Sequence, residues 1–232
     1  RLLAGPGSRT WQERWTDAEA AHETVLDERD GFCEGRVLED VVDLAPDPST
    51  IFVSNSMPVR DLDRFGTPTT KTYTALGNRG ASGIDGIVST ALGAGSATTD
   101  DLTLVTGDLA YYHDMNGLLA LGRSDVEATI VLVNNDGGGI FHMLPIEAYD
   151  PPFTSQFVTP HGLDFEPTED LYDLSFARVE GDDRDAFRDA YAEATTSEGS
   201  HVVEVATDAE ASHRVRDELR ERTVERVLED TT

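Results

Sequence analysis

Two short clusters carry the residue types best suited to hold a metal ion together with a phosphate group. Gly107-Asp108 directly follows one apolar run of the sequence, and Asn134-Asn135 directly follows the next. Mg²⁺ takes oxygen ligands in a near-octahedral array and commonly shares them between carboxylate, carbonyl, water and phosphate. The Asp108 carboxylate, the Asn135 amide oxygen and the Gly137 carbonyl oxygen would supply three ligands, and a diphosphate would supply more. The two clusters therefore predict a site for Mg²⁺, or for Mn²⁺, with a bound diphosphate.

Glycine-rich backbone accompanies both clusters. Gly107 and the run 137–139 allow the main chain to approach a phosphate closely, because no Cβ stands in the way. A helix predicted to begin near His113 would direct its first N–H groups toward the same anion. Either cluster alone is also a common turn sequence, so the prediction depends on their matched positions at two successive strand ends.

The elements that position these clusters alternate between strands and helices. Short β-branched apolar runs, which are typical of buried strands, are separated by helix-length segments. The predicted strands are 50–53, 72–76, 102–106, 129–133, 174–179 and 201–205, and the predicted helices are 31–44, 83–97, 114–121, 183–196 and 209–228. This alternation predicts an α/β fold, a doubly wound and mostly parallel six-stranded sheet with helices on both faces. Ligands of such sheets bind beyond the carboxyl ends of the strands, where both clusters fall.

The first part of the chain differs in composition from the rest. Residues 1–10 are rich in Gly, Pro and Ser, and a polar helical pattern follows from Trp11 to about residue 30. We interpret 1–30 as a linker or the remnant of a preceding domain, and 31–232 as one domain that binds a metal ion and a diphosphate. The first residue is Arg rather than Met, which fits a segment of a longer chain.

The charge balance excludes several kinds of partner. The chain has 45 acidic and 18 basic residues, which gives a formal net charge of −27. Binding to nucleic acid needs clustered Lys and Arg, so no nucleic-acid partner is expected, and anionic membranes would repel the chain. A charge this large destabilises a compact state unless salt screens it, so we expect a protein adapted to a high-salt cytoplasm.

The sequence also lacks the marks of a membrane or secreted protein. No apolar run approaches the roughly 18 residues of a membrane-spanning helix, and no basic-then-apolar signal pattern opens the chain. Cys33 is the sole cysteine, so no internal disulfide is possible. These features predict a soluble protein of the cytoplasm with no membrane partner.

Four motifs, in this order, resemble one family of thiamine-diphosphate enzymes. They are NSMPVRD at 55–61, NRGASGIDG at 78–86, GDL at 107–109 and NNDGGGIFHMLP at 134–145. The resemblance is to the C-terminal domain of the MenD family, the synthases that make 2-succinyl-5-enolpyruvyl-6-hydroxy-3-cyclohexene-1-carboxylate for menaquinone biosynthesis. It covers most of 30–232. Leu109 replaces the glycine of the broader thiamine signature, as is typical of this family, whereas Ala110 stands where the family often has a serine.

The resemblance implies an activity and a set of site residues. The implied reaction decarboxylates 2-oxoglutarate on thiamine diphosphate and adds the succinyl unit to isochorismate. Ser56, Arg60 and Arg79 would be the catalytic residues that face the substrates, whose carboxylates suit guanidinium groups. The implied cofactor-binding residues are Asn55, Ile84, Gly107, Asp108, Leu109, Asn135, Gly138, Ile140, Phe141 and Leu144, and the implied metal ligands are Asp108, Asn135 and Gly137.

Individual roles follow for the apolar residues of this set. Ile84 would hold the cofactor in a bent form, and Ile140, Phe141 and Leu144 would form an apolar wall that excludes water from the reacting centre. The alternative for these side chains is ordinary core packing. The alternative role for Arg60 and Arg79 is ion pairing on the surface of an acidic protein.

Part of the implied active site is absent from this sequence. Enzymes of this kind need a glutamate beside the cofactor's aminopyrimidine, and in the resembled family it comes from the N-terminal pyrimidine-binding domain of a neighbouring subunit. No segment here matches that domain, so we expect the chain to be inactive alone and the whole enzyme to be a homodimer or homotetramer. Its small-molecule partners would be 2-oxoglutarate and isochorismate.

Two other functions remain open from the sequence. The chain could belong to another thiamine-diphosphate-dependent 2-oxo acid decarboxylase or to an acetohydroxyacid synthase, although the motifs at 55–61 and 78–86 favour the first interpretation. It could also be a non-catalytic module that binds Mg²⁺ and a diphosphate. His113 and His142 are weaker candidates for acid–base groups, and the stretch 149–167 is a candidate lid over the site.

Overall fold

A single parallel sheet forms the centre of the computed structural model, which describes residues 10–29 and 31–229. The strands are β1 (Ser49–Val53), β2 (Tyr73–Leu76), β3 (Asp101–Gly107), β4 (Thr129–Asn134), β5 (Ser175–Glu180) and β6 (His201–Ala206). They lie in the order β2-β1-β3-β4-β6-β5, and every neighbouring pair is parallel. The predicted six-stranded α/β sheet is therefore confirmed, and each strand begins and ends within one residue of the predicted position.

The described part of the chain contains eight α-helices. They are α1 (Trp11–Asp27), α2 (Glu34–Leu44), α3 (Met57–Phe65), α4 (Ile87–Gly95), α5 (Asp108–Asp114), α6 (Thr168–Tyr172), α7 (Arg184–Thr196) and α8 (Ala209–Glu229). One core contains the apolar sides of α2 and α7 and one face of the central strands. A second core contains α4, α5 and the opposite face of those strands. Two apolar cores on either side of one sheet are what a doubly wound fold requires.

The two edge strands differ from the sequence prediction of uniformly buried strands. The central strand β1 is buried at every position, whereas β2 is exposed at three of its four positions and β5 is mostly exposed. Position in the sheet explains the difference, because β2 and β5 lie at its two ends and each has only one neighbouring strand.

Several helices also depart from the prediction. The helices α2 and α4 begin three and four residues later than the predicted starts at 31 and 83, and the short α6 was not predicted. The helix expected at 114–121 begins earlier, since α5 starts at Asp108 directly after β3, and a 3₁₀ helix covers Met115–Arg123. The helix α3 was not predicted, although Pro58 lies in its first turn, where the fixed φ of proline is compatible with a helix. It places Ser56 at its N-terminus with a φ of 69°.

Contacts divide the chain into two compact units, Phe32–Ser212 and Arg1–Gly31 with His213–Thr232. The first of these contains the whole sheet. In the second, α1 begins at a capping box formed by Thr10 and Glu13, and the His22 ring lies 3.2 Å from the Thr223 hydroxyl. Of the predicted linker 1–30, residues 1–9 and 30 lie outside the described residues.

Among the described residues, no helix is both long enough and apolar enough to span a membrane.

Candidate functional site

A cavity of about 370 Å³ opens at the carboxyl ends of β1, β3 and β4. The chain passes from β1 to β2 on one side and returns to β3 on the other side of β1, so the sheet order reverses between β1 and β3. Ligands of open α/β sheets bind at this point of reversal. Ser54 and Asn55 reach the cavity from the end of β1, Asp108 from the end of β3 and Asn135 from the end of β4. The residues with candidate chemistry are therefore brought together as the strand-end rule predicts.

Asp108 is the buried acid of this cavity. Its Oδ1 accepts a hydrogen bond from the Leu109 N–H at 2.6 Å, and its Oδ2 accepts from the N–H groups of Gly137 at 2.9 Å and Asn135 at 3.2 Å. Burial raises the pKa of Asp108, and the hydrogen bonds from Gly137 and Leu109 and the nearby His161 act in the opposite direction. A carboxylate offers about four acceptor positions, so three hydrogen bonds leave room for a cation.

Asn135 presents an oxygen that nothing in the described part of the chain satisfies. Its Nδ2 donates to Glu34 Oε1 at 2.7 Å, while its Oδ1 is buried and accepts no hydrogen bond. A buried polar atom without a partner is unusual, and a bound ion or ligand would satisfy it. Amide and carboxylate oxygens are the ligands that Mg²⁺ prefers, so Asn135 and Asp108 fit a divalent cation.

The glycines after Asn135 form a cradle that larger residues would fill. Gly137 has a φ of 147°, and a Cβ built there would lie 2.2 Å from the Val158 carbonyl oxygen. At Gly138 a Cβ would lie 2.6 Å from both the Phe157 carbonyl oxygen and the Phe141 ring. The backbone here can therefore follow this path only with glycine, which leaves main-chain atoms close to the cavity.

The other end of the cavity is lined by the segment after β1. Asn55 is buried, its Nδ2 donates to the Gly83 carbonyl at 2.8 Å, and its Oδ1 accepts from Arg79 Nη1 at 2.9 Å. Ser56 has a positive φ, which is strained for a residue other than glycine and is common at functional sites. Ile84 lines the cavity and remains partly exposed.

Eleven of the predicted site residues line this one cavity. They are Asn55, Ser56, Ile84, Gly107, Asp108, Leu109, Asn135, Gly137, Gly138, Ile140 and Phe141. The remaining three, Arg60, Arg79 and Leu144, do not line it. Both arginines line an adjoining cleft of about 520 Å³ together with Tyr73, and Leu144 is an exposed residue at the end of a short 3₁₀ helix.

The candidate histidines lie outside the cavity. His113 is half-exposed with its Nε2 2.7 Å from Asp85, and His142 is buried with its Nδ1 2.9 Å from Glu147. Neither side chain is a cavity-lining residue. An imidazole that was not predicted, His161, is closer to the centre, since its Nε2 lies 3.3 Å from Asp108 Oδ2, although not in hydrogen-bond geometry.

The candidate lid at 149–167 is tied to the loop that follows β4. The N–H groups of His161 and Gly162 both donate to Asp136 Oδ1, at 2.9 and 2.7 Å, and Gly138 donates its N–H to the Val158 carbonyl at 2.8 Å. The hydrogen bonds from the Gly162 and His161 N–H groups lower the pKa of Asp136, and the one from Gly162 has the larger effect. In this conformation the segment 149–167 packs against the glycine-rich loop and supports it.

Sequence reasoning missed two acids of the cavity, Glu34 and Asp61. Both are almost fully buried and line the cavity from α2 and α3. Asp61 belongs to the 55–61 motif, and a predicted helix α3 would have indicated that this acid faces the cavity. Glu34 precedes the first predicted strand and carries no motif that would connect it to Asn135.

The chain matches a protein family and several individual proteins. The family described as thiamine pyrophosphate enzyme, C-terminal TPP binding domain, matches residues 60–205. The 2-succinyl-5-enolpyruvyl-6-hydroxy-3-cyclohexene-1-carboxylate synthase of Haloquadratum walsbyi is 62% identical over 99% of this chain and 43% of its own length. The synthase of the same name from Halorubrum lacusprofundi is 58% identical over 94% of this chain and 39% of its own length. The chain thus spans less than half of these relatives.

A solved structure shows the same fold. The benzoylformate decarboxylase of Polynucleobacter necessarius superposes with a TM-score of 0.61 at 18% sequence identity, over 76% of this chain and 33% of that one. At this identity the likeness establishes the architecture of the sheet and its helices.

Proposed function

We propose a function for this chain on the premise that it belongs to the thiamine pyrophosphate enzymes, as their C-terminal TPP-binding domain. The chain holds the diphosphate end of thiamine diphosphate through a divalent cation at the carboxyl ends of β3 and β4. The observation that carries the proposal is the buried, unpartnered Oδ1 of Asn135 in the cavity that also contains the Asp108 carboxylate. This pair of oxygens in a cavity lined by glycine backbone suits a cation with a phosphate ligand.

The proposed cation ligands are Asp108 Oδ1 or Oδ2, Asn135 Oδ1 and the Gly137 carbonyl oxygen, with Mg²⁺ or Mn²⁺ as the ion. Gly107, Leu109 and Gly138 line the same cavity and would bring their backbone close to the diphosphate. When bound, thiamine diphosphate supplies the nucleophilic carbon and the electron sink that a 2-oxo acid needs to lose CO₂. The chain itself supplies binding, orientation and exclusion of water.

The apolar part of the cavity serves that exclusion. Ile84, Ile140 and Phe141 line it, and Phe141 also packs edge-on against Phe157 with ring centroids 5.5 Å apart. Charges and dipoles interact more strongly when water is kept from them. We assign these three side chains to the wall around the reacting part of the cofactor, with Leu144 extending that wall at the exposed side.

Substrate recognition is assigned to Ser56, Arg60 and Arg79. The two arginines line the cleft beside the cavity, and Arg79 is linked to it through its hydrogen bond to Asn55. Guanidinium groups bind carboxylates strongly and with defined geometry. The high identity to the Haloquadratum and Halorubrum synthases supports 2-oxoglutarate and isochorismate as the two carboxylate substrates, and transfer of a succinyl unit as the reaction.

The complete enzyme needs more than this chain. The relatives are more than twice its length. We propose that the N-terminal pyrimidine-binding domain of a neighbouring subunit completes the site, that the enzyme is a homodimer or homotetramer, and that it works in the cytoplasm of a salt-adapted organism. The chain alone would bind cofactor without turnover.

Calorimetric titration of thiamine diphosphate into the chain in molar KCl, with and without Mg²⁺, tests the proposal. Binding should require Mg²⁺ and should be lost in Asp108→Ala and Asn135→Ala. Asp164→Ala, which removes an exposed acid outside the cavity, should bind like the wild type. Binding that ignores Mg²⁺ and both cavity substitutions would refute the proposed ligands. If the chain alone does not bind, the same titration of the complete protein decides between a missing domain and a wrong assignment.

Turnover of the complete protein tests the substrates. Product should form from 2-oxoglutarate and isochorismate and should not form when pyruvate replaces 2-oxoglutarate. Release of CO₂ from pyruvate at a comparable rate would favour a different 2-oxo acid decarboxylase.

A further inference from the structure

Glu34 is a buried acid that contacts the proposed cation site without being one of its ligands. It is the first residue of α2, only 2% exposed, and it lines the cavity. Its Oε1 accepts hydrogen bonds from Asn135 Nδ2 at 2.7 Å and from the Thr207 hydroxyl at 3.1 Å. Its main-chain N–H donates to the Ser212 hydroxyl at 3.3 Å, which holds the start of the helix in place.

The Glu34 carboxylate determines which end of the Asn135 amide enters the cavity. An ionised carboxylate only accepts hydrogen bonds, whereas an amide has a donor end and an acceptor end. The Asn135 NH₂ group must therefore point toward Glu34, and Oδ1 must point away from it. This is the oxygen that is buried and unpartnered within the described part of the chain.

Gly139 limits the freedom of the same amide from another direction. A Cβ at Gly139 would lie 2.7 Å from Asn135 Nδ2 and 3.2 Å from the Ala209 side chain. The amide thus lies against backbone at Gly139 while it donates to Glu34. Both contacts concern its nitrogen end, and neither satisfies its oxygen.

We infer that Glu34 is a positioning residue of the cation site, which fixes the Asn135 side chain with Oδ1 directed at the cation. The inference rests on the proposed function, because it gives Oδ1 the ligand that the cavity implies. Hydrogen bonds from outside a metal's ligand set orient the ligands, and loss of one commonly lowers metal affinity about 10–100-fold. Glu34 would act through Asn135 without touching the ion.

A purely structural role is the competing explanation, since a buried acid at the start of a helix also affects folding. Asp40 provides the matched control on the same helix. It is fully buried, it pairs with Arg184 and Arg188, and it does not line the cavity. Asp40→Asn and Glu34→Ala should both destabilise the chain, but only Glu34→Ala should change the affinity for the cation.

Exchange of the two interacting groups gives a sharper test. Asn135→Asp places a carboxylate against the Glu34 carboxylate, and two like charges at this distance disfavour each other. In the double variant Glu34→Gln, Asn135→Asp, the amide introduced at position 34 can donate to the carboxylate introduced at position 135. The hydrogen bond is then restored with its direction reversed, and an oxygen still faces the cavity.

The experiment is a titration of the full chain with Mn²⁺ in molar KCl and thiamine diphosphate, with free Mn²⁺ measured by electron paramagnetic resonance. Glu34→Ala should bind Mn²⁺ about 10–100-fold more weakly. Asp40→Asn should match the wild type, and the double variant should bind more tightly than Asn135→Asp. In the metal-free chain, the NMR signals of the Asn135 side-chain NH₂ should shift in Glu34→Ala and stay in place in Asp40→Asn.

Wild-type affinity in Glu34→Ala, or no recovery in the double variant, would overturn the role of Glu34 and leave the proposed cation site standing. No Mn²⁺ binding by the wild type would instead overturn the cation site in this chain, and the inference with it. Unchanged NMR signals of Asn135 in Glu34→Ala would overturn the hydrogen bond itself.

Discussion

Among glycine-to-alanine substitutions in the loop 137–139, Gly137→Ala should damage the site most. Gly137 has a φ of 147°, and an added Cβ would lie 2.2 Å from the Val158 carbonyl oxygen and 3.2 Å from the Val158 side chain. The nearest atom belongs to the backbone, so no side-chain rotation can relieve the contact. The same residue donates its N–H to Asp108 Oδ2 at 2.9 Å.

The expected cost follows from two independent effects. A residue other than glycine held in such a backbone conformation costs about 1–3 kcal/mol. Forcing an extra carbon into a filled space costs about another 1–3 kcal/mol. If the two effects add, Gly137→Ala lowers the free energy of unfolding by about 2–6 kcal/mol. Movement of the loop would relieve part of this cost at the expense of the hydrogen bond to Asp108.

Gly162→Ala is the matched control. Gly162 also has a positive φ, of 58°, but an added Cβ would have no atom within 4 Å. It should therefore cost only about 1–2 kcal/mol, the conformational part alone.

Urea unfolding of the wild type and both variants in molar KCl gives the free energies, and titration with Mn²⁺ and thiamine diphosphate gives the affinities. Gly137→Ala should be the less stable variant and should lose affinity for Mn²⁺, whereas Gly162→Ala should keep it. Equal destabilisation by the two substitutions, with equal Mn²⁺ binding, would refute the claim that the backbone of Val158 closes the cradle at Gly137.

Three further predictions concern the rest of the fold. Asp40→Asn should lower the free energy of unfolding by about 2–3 kcal/mol, because Asp40 accepts charge-assisted hydrogen bonds from Arg184 at 2.8 and 2.7 Å. Urea unfolding measures this change, and an unchanged free energy of unfolding would contradict the role of these hydrogen bonds. The melting temperature should rise with KCl concentration, since a net charge of −27 repels itself less when screened, and a salt-independent melting temperature would contradict this. The Arg178 guanidinium lowers the pKa of Asp164, so this acid should stabilise the fold above its unfolded pKa, with the contribution lost as the pH falls through the folded pKa. An NMR titration should show that the pKa of Asp164 rises in Arg178→Gln, while the hydrogen bond from the Glu166 N–H still lowers it.

The sheet and most of its site were predictable because each depended on local patterns. Buried parallel strands are short apolar runs, and their carboxyl ends share one edge, so Asp108 and Asn135 had to be neighbours once both were placed after strands. The structure places them as expected, and the hydrogen bond from the Asn135 N–H to the Asp108 carboxylate links the ends of β3 and β4. The strand pattern failed only for exposure at β2 and β5, since a run of apolar residues does not show which strand lies at an edge.

The helical segment after β3 begins earlier than predicted, and its contacts with α4 explain the difference. The sequence predicts a helix at 114–121, but Met115–Arg123 form a 3₁₀ helix that packs closely on α4. A Cβ at Gly117 would lie 2.5 Å from Ser89 Oγ, and Asp114 accepts a hydrogen bond from the Ser89 N–H at 2.7 Å. Contacts with another helix thus determine the local conformation, and they are not visible in the periodicity of the segment.

Glu34 could not have been identified from spacing. It lies 101 positions before Asn135 and 173 positions before Thr207, and it contacts both only because the sheet brings α2 beside the end of β4. Its acidic side chain also stands in a chain with 45 acidic residues, where one more carboxylate gives no signal. Burial, which the sequence does not reveal for a single acid, is what distinguishes it.

The position of the cation shows directly whether Asp108 and Asn135 bind it. A crystal structure of the chain grown with Mn²⁺ and thiamine diphosphate would locate the ion by anomalous scattering. We expect one strong peak within bonding distance of an Asp108 carboxylate oxygen, Asn135 Oδ1 and the Gly137 carbonyl oxygen, with the diphosphate beside it. A diphosphate bound elsewhere, or an ion that contacts neither Asp108 nor Asn135, would contradict it.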